Sequence, residues 1–250
     1  MAIETPVRFV CYGDPGVGKT TLALTFPRPI VIDTDFGLEG DAVKGRRVIP
    51  VGDDMPAPED GDILVVRPSG YRSLENATKW MLANEADFDT IVLDAFDGAA
   101  TILLNEVVDQ GKKNGDSLRN ELVPETGEYM VNQKQMERII NTWRRMPGKN
   151  IVLVGGVREP EGKKRSLNAA PGTLAIVDRW SSLIGELTVV RIGTDGNIDN
   201  QNGAPTRVLM LDPSSRRREC KTRWATLSPY VTEPTYDKLM AGITGKEESK

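Results

Sequence analysis

The stretch CYGDPGVGKTTLALTF, residues 11–26, sets Gly13, Gly16 and Gly18 between two apolar runs and follows them at once with Lys19, Thr20 and Thr21. Glycines leave almost no side chain to pack. They permit close approach to the backbone and dihedrals that other residues resist. The segment fits G-x-x-x-x-G-K-[ST], the phosphate-binding loop. In such a loop, successive backbone N–H groups and the N-terminus of the following helix cradle an anion. Gly13, Asp14, Pro15, Gly16, Val17, Gly18, Lys19, Thr20 and Thr21 are therefore the candidate cofactor-binding residues. Lys19 is placed to reach the β- and γ-phosphates, and the Thr20 hydroxyl to ligate magnesium. With Gly near 7% of residues, the four fixed positions match by chance in roughly one chain of this length per hundred. This match also lies between a predicted strand and a predicted helix, as the chemistry requires.

Working outward, residues 7–12 read as a buried strand and 19–26 as a helix closed by Pro27 and Pro29. Strands follow at 30–33, 48–51, 63–66, 90–94 and 151–154. Helices are predicted at 74–84, 99–108, 129–146, 174–184 and 236–241. Leu74, Ala77, Trp80 and Met81 share one face of the first of these. Residues 109–127 and 156–172 read as polar loops, and 187–192 with 207–211 as the arms of a hairpin. Strands alternating with helices predict an α/β fold, with a mostly parallel sheet, helices on both faces and an antiparallel hairpin at the C-terminal edge.

Composition narrows the chemistry. The 250 residues, 39% hydrophobic, are enough to bury a core, and the chain contains no histidine. That excludes Ser-His-Asp and Cys-His catalysis and any His-ligated zinc. Cys11 and Cys220 show no metal spacing and read as reduced thiols. No apolar run approaches the ~20 residues of a membrane helix, and no signal pattern opens the chain, so no membrane partner is expected. A net charge of −4 excludes a bulk nucleic-acid binder; contact with DNA requires a local basic patch.

A nucleotide loop needs a second carboxylate for magnesium. The run FDTIVLD, 88–94, supplies an apolar strand ending in Asp94, which pairs with Thr20 as the candidate metal site, acting through water; capping of the next helix is the competing role. Asp97 is a weaker candidate. Ala95 stands where the AAA+ pattern carries its catalytic glutamate, so that pattern fails at this position. The second strand ends in Asp33-Thr34-Asp35.

Taken in order, GDPGVGKTTLALTFPRP (13–29), VIDTD (31–35), TIVLDAFDG (90–98) and CKTRWATL (220–227) resemble the RecA/Rad-like recombinase ATPases reduced to their core. Among these, the chain is most similar to the phage single-strand annealing proteins of the RecA-like Sak group. The resemblance covers most of residues 5–240. It implies a RecA-like P-loop NTPase domain over residues 1–243 with a flexible tail at 244–250, ATP and Mg2+ as cofactors, and hydrolysis at subunit interfaces stimulated by single-stranded DNA. Lys19, Asp35, Lys221 and Arg223 are then the catalytic set. Asp35 polarises the attacking water, with Asp33 and Glu39 as alternates. Lys221 and Arg223, on one face of a strand by alternation, reach the γ-phosphate of a neighbouring subunit.

Two loops match the positions at which RecA-like proteins touch single strands. The first carries Lys112, Lys113 and Arg119; the second carries Arg158, Lys163, Lys164 and Arg165 and is the more basic. Arg216-Arg217-Arg218 forms a third basic cluster. Partners implied are single-stranded DNA, further copies of the chain in a ring or filament, and a single-strand-binding protein, in the cytoplasm of a phage-infected bacterium. The sequence departs from the family in two places. Asp35 is one methylene shorter than the usual glutamate, and Gly155-Gly156 stands where a polar sensor is expected. The chain also starts at its first strand, so assembly is expected to use core surfaces or to be weak without DNA. The alternatives are a helicase- or KaiC-like ring ATPase acting on a protein, and an ATP-gated DNA-binding module with negligible hydrolysis.

Overall fold

The computed structural model describes residues 6–52, 54–113, 123–192 and 203–246. The short apolar runs form β1 (Arg8–Tyr12), β2 (Pro29–Asp33), β3 (Val48–Pro50), β4 (Ile63–Val66), β5 (Thr90–Asp94) and β6 (Asn150–Gly155). Helices α1 (Lys19–Ala23), α2 (Tyr71–Ala83), α3 (Phe96–Lys113) and α4 (Thr126–Trp143) lie between them. The later chain adds β7 (Val157–Arg158), β8 (Ser166–Leu167), α5 (Pro171–Trp180), β9 (Leu183–Ile192), β10 (Ala204–Met210), β11 (Lys221–Thr222), β12 (Tyr230–Thr232) and α6 (Tyr236–Thr244).

The main sheet runs β12-β10-β9-β1-β6-β5-β2-β4-β3, with β11 also on β9. From β9 to β3 every neighbouring pair is parallel; β10 and β11 run antiparallel to β9. The expected α/β class, the mostly parallel sheet and the antiparallel C-terminal edge are all present. Alternation divides the core into two layers. Val10, Tyr12, Ile32 and Leu93 face Leu74, Leu103, Ile139 and Trp180 of α2 to α5. Phe9, Cys11, Val31 and Val92 face Leu22 of α1 and Leu239 of α6. Both cysteines are free. Burial pushes the Cys11 thiol up to about 12 and that of Cys220 to about 11, so neither is a reactive thiolate at neutral pH. Among the described residues, no helix is long and apolar enough to cross a membrane.

Most element ends shift by a few residues from expectation, and four segments show larger or locally explained differences. α1 stops at Ala23 rather than Phe26, because the amide and hydroxyl of Thr25 both turn back to the Leu22 carbonyl ahead of Pro27. α3 continues through Lys113, carrying a polar run outward from the buried Leu103, Val107 and Val108. Residues 183–184 are strand, not helix. The amide of Ser182 bonds the Arg8 carbonyl at 2.9 Å and draws the chain beside β1. The second polar loop folds into a small hairpin of β7 and β8. Residues 247–250 of the expected tail lie outside the described residues.

Candidate active site

The register brings the ends of the parallel strands together. Tyr12 lies opposite Gly155 on one side and Glu186 on the other; Asp94 lies opposite Asp33 and Val154. Ligands of open α/β sheets bind at this carboxyl edge. Gly13 leaves β1 so close to β9 that a Cβ would stand 2.2 Å from the Leu187 carbonyl oxygen. Gly16, at φ 78°, has nothing beyond its own chain neighbours within 4 Å of where a Cβ would be. The loop thus turns a bare backbone outward. Lys19 Nζ closes it from within, donating to the carbonyls of Gly13 at 3.0 Å and Asp14 at 2.8 Å. At its inner end Thr20 Oγ1 donates to Asp94 Oδ2 at 2.6 Å.

A family model described as an AAA domain matches residues 5–223. The chain belongs to that family. It does so with Ala95, almost fully buried, directly after Asp94. No curated protein matches it. Many solved structures are similar, two of them as follows. The crystal structure of the RadB recombinase is 18% identical with a TM-score of 0.46, covering 85% of this chain and 81% of that one. Flagellar accessory protein FlaH from Methanocaldococcus jannaschii is 10% identical with a TM-score of 0.37, covering 90% and 84%.

An AAA domain with this loop is a P-loop ATPase, and the residues fit its nucleotide. The outward backbone at Gly16 suits phosphate oxygens. Thr20 and Asp94 are the paired hydroxyl and carboxylate that a hard cation takes. Among the described residues, no group of three or more acidic or thiol side chains gathers to hold a metal by itself. Magnesium here would draw its other ligands from phosphate and water, and supplies neutralisation of phosphate charge when bound. Burial raises the Asp94 carboxyl above the ordinary range, against the Thr20 hydroxyl, with Asp33 and Asp35 adding to the rise.

The three acids proposed for water alignment separate by their contacts. Asp33 is buried. It accepts from Gly37 N at 3.0 Å and pairs with Arg67 Nε at 3.0 Å, which gives it a structural task. Glu39 sits in the exposed loop beyond. Asp35 turns toward the start of α3, where a Cβ on Gly98 would fall 2.2 Å from its Oδ1. Partial burial, then the charges of Asp97 and Asp33, raise the Asp35 carboxyl. Thr34, between the two acids, clamps the other strand end: its Oγ1 donates to the Ala95 carbonyl and accepts from the Ala95 amide. Asp97 fills the space in front of Gly155-Gly156, accepting from Gly156 N at 3.4 Å and Asn168 Nδ2 at 3.3 Å.

Lys221 and Arg223 are not brought to this edge. β11 pairs with the first residues of β9, and the Arg223 amide donates to Ser182, level with Arg8. At ~3.3 Å per residue along β1, that is about 15 Å from the loop of the same chain. Lys221 Nζ donates to the Asp178 carbonyl, and Arg223 is exposed.

The basic residues also divide. Arg165 donates to Glu186 at 2.8 Å, Glu159 at 2.9 Å and Asp14 at 2.9 Å. Against the cost of burial, Glu186, Asp14 and Glu159 hold its guanidinium above the usual value. Arg158 donates to the Ala169 carbonyl at 2.7 Å. Lys163 is exposed and Lys164 half-buried. Lys112 and Lys113 fall in the last turn of α3, and Arg119 lies outside the described residues.

Sequence reasoning gave no role to Thr34, Glu186 or Arg207, and read Arg218 only as part of a basic cluster. Arg218 Nε lies 2.7 Å from Glu186 Oε2, and Arg207 lies over Gly18 while paired with Glu233 at 2.7 Å. Only Glu186 left a signal, as a lone acid inside the apolar run SLIGELTVV, since a buried charge demands a partner.

Proposed function

We propose that the chain is a RecA-type ATPase that binds single-stranded DNA and hydrolyses ATP between neighbouring subunits, with Asp35 aligning the water and Lys221 and Arg223 acting on the next subunit's γ-phosphate. Thr20 meeting Asp94 at the inner end of the phosphate-binding loop is the observation that carries the ATPase. The trans assignment is consistent with the distance of Lys221 and Arg223 from their own loop. The DNA reading is supported by Lys163 and Lys164, which line the same trough as Asp14 of the loop. Annealing of phage type, with a single-strand-binding protein as helper, is the role that the sequence resemblance implies.

Steady-state ATP hydrolysis, with and without a long unstructured single strand, tests this. Stimulation by DNA that disappears in Lys19→Ala is expected. Turnover in the wild type that ignores DNA would point instead to a ring ATPase acting on a protein. Tight ATP-dependent DNA binding with no turnover would make ATP a structural ligand.

A further inference from the structure

We propose that Arg216 and Arg217, with Lys163 and Lys164, form one binding track for a nucleic-acid phosphodiester backbone beside the phosphate-binding loop. This rests on the DNA-binding reading above and deepens it. The two basic runs are remote in the chain but adjacent in space. Arg165 N donates to the Arg217 carbonyl and Glu219 N to the Arg165 carbonyl, each at 2.8 Å, making a parallel bridge between Arg165 and Arg218. The Tyr12 hydroxyl reaches across both segments, 3.1 Å from the Arg165 carbonyl and 2.9 Å from that of Glu219. The joined segments wall a trough of about 840 Å3.

Charge sorts the six basic side chains here. Arg165 and Arg218 point inward onto Glu186, which is 1% exposed. Their charge is committed, since a carboxylate taken out of water needs its cations. Lys163, Arg216 and Arg217 are exposed, and among the described residues no carboxylate pairs with them. Lys164 shares the field of Asp212. The free cations are spread along two segments rather than focused on one point, which suits a repeating anion. Among the described residues, no aromatic side chain lines the trough, so the track reads backbone charge and not bases. Binding should therefore be insensitive to sequence and steep in salt.

The test is equilibrium binding of labelled oligo-dT by the full chain with Mg2+ and a non-hydrolysable ATP analogue, over a salt series. Single strands give a slope of ~0.7 per phosphate neutralised. The double variant R216A/R217A is expected to bind at least ~10-fold more weakly near 0.1 M salt and to lose about 1.4 from the slope of log K against log salt. R216K/R217K should keep the slope, and both variants should bind a fluorescent ATP analogue as the wild type does. A double alanine variant with wild-type DNA affinity and slope overturns the track while the DNA reading stands. A wild type that binds no single strand overturns both. Poly-glutamate competing as well as oligo-dT at equal charge overturns the phosphodiester assignment.

Discussion

Asp14, inside the phosphate-binding loop, is joined by a 2.9 Å ion pair to Arg165, 151 positions further along the chain. The same guanidinium holds buried Glu186, so one residue neutralises an acid beside the nucleotide and an acid in the core. Arg165→Ala should therefore have two separable effects. Asp14 left unneutralised near phosphate costs about 1 kcal/mol, or roughly fivefold in nucleotide affinity. Glu186, left with Arg218 alone, costs a further ~2 kcal/mol of stability, less than full loss of a buried pair. That lowers Tm by about 4–8 °C. Adding Asp14→Ala to Arg165→Ala should restore nucleotide affinity and leave Tm low. A double variant that still binds nucleotide weakly would break the link between Asp14 and the effect.

Gly98 lets the end of β2 sit on α3. Its missing side chain leaves room for Asp35 Oδ1 and Thr34 Oγ1, which a Cβ would meet at 2.2 and 2.5 Å. If Asp35 aligns the attacking water, Gly98→Ala should displace it and cut kcat by ~10²-fold, in the range for a misplaced general base. Nucleotide binding should stay within about twofold, since α1 and its loop are untouched. Asp35→Asn is the benchmark, and a fully active Gly98→Ala would remove Asp35 from the reaction.

The raised carboxyl of Asp94 has a consequence for stability. A folded-state value above the unfolded one means that the folded chain holds this proton more tightly. Stability from the group is full below the ordinary carboxylate range and falls as pH rises through the raised value. Asp94→Asn keeps an acceptor for Thr20 and removes the charge. At pH 7–8 it should melt a few degrees above the wild type, and the gap should narrow toward pH 4. Mg2+ with ATP should raise Tm in the wild type and do little in the variant. A gap that stays constant with pH would rule out the charge as its cause.

If Lys221 and Arg223 act across an interface, two inactive variants can repair each other. Lys19→Ala lacks a competent loop and Arg223→Ala lacks a donated cation. Mixed in equal amounts, they should recover on the order of a quarter of wild-type hydrolysis, because some interfaces then pair an intact loop with an intact donor. Each alone should fall by ~10³-fold or more. A mixture as inactive as its parts would sink the trans assignment.

The sequence made the phosphate-binding loop and the strand-ending acids readable, because loop glycines and apolar runs are local signals. Asp94 stands at the end of such a run, and it meets Thr20 in space. The role of Arg165 was not readable. Within KKR, 163–165, three cations look alike, and only the pairing of β9 beside β1 puts Glu186 under the third. Residues 183–184 were misread for a related reason. Their apolar character suits helix and strand equally, and the decision came from Ser182 bonding to Arg8. The sequence offers Asp35 with Asp33 and Glu39 as alternates, and only the structure separates their surroundings: Arg67 engages Asp33, and the start of α3 receives Asp35.

Tyr12 ends the strand that launches the phosphate-binding loop, and its hydroxyl faces two carbonyls from different segments. A phenol has one proton to give. The carbonyls of Arg165 and Glu219 must share it, so each is held for only part of the time. That makes the seam between residues 165 and 217–219 a natural first place to open. In hydrogen–deuterium exchange the amides of Arg165 and Glu219 should exchange together, well ahead of β1 and β6, and Tyr12→Phe should speed both.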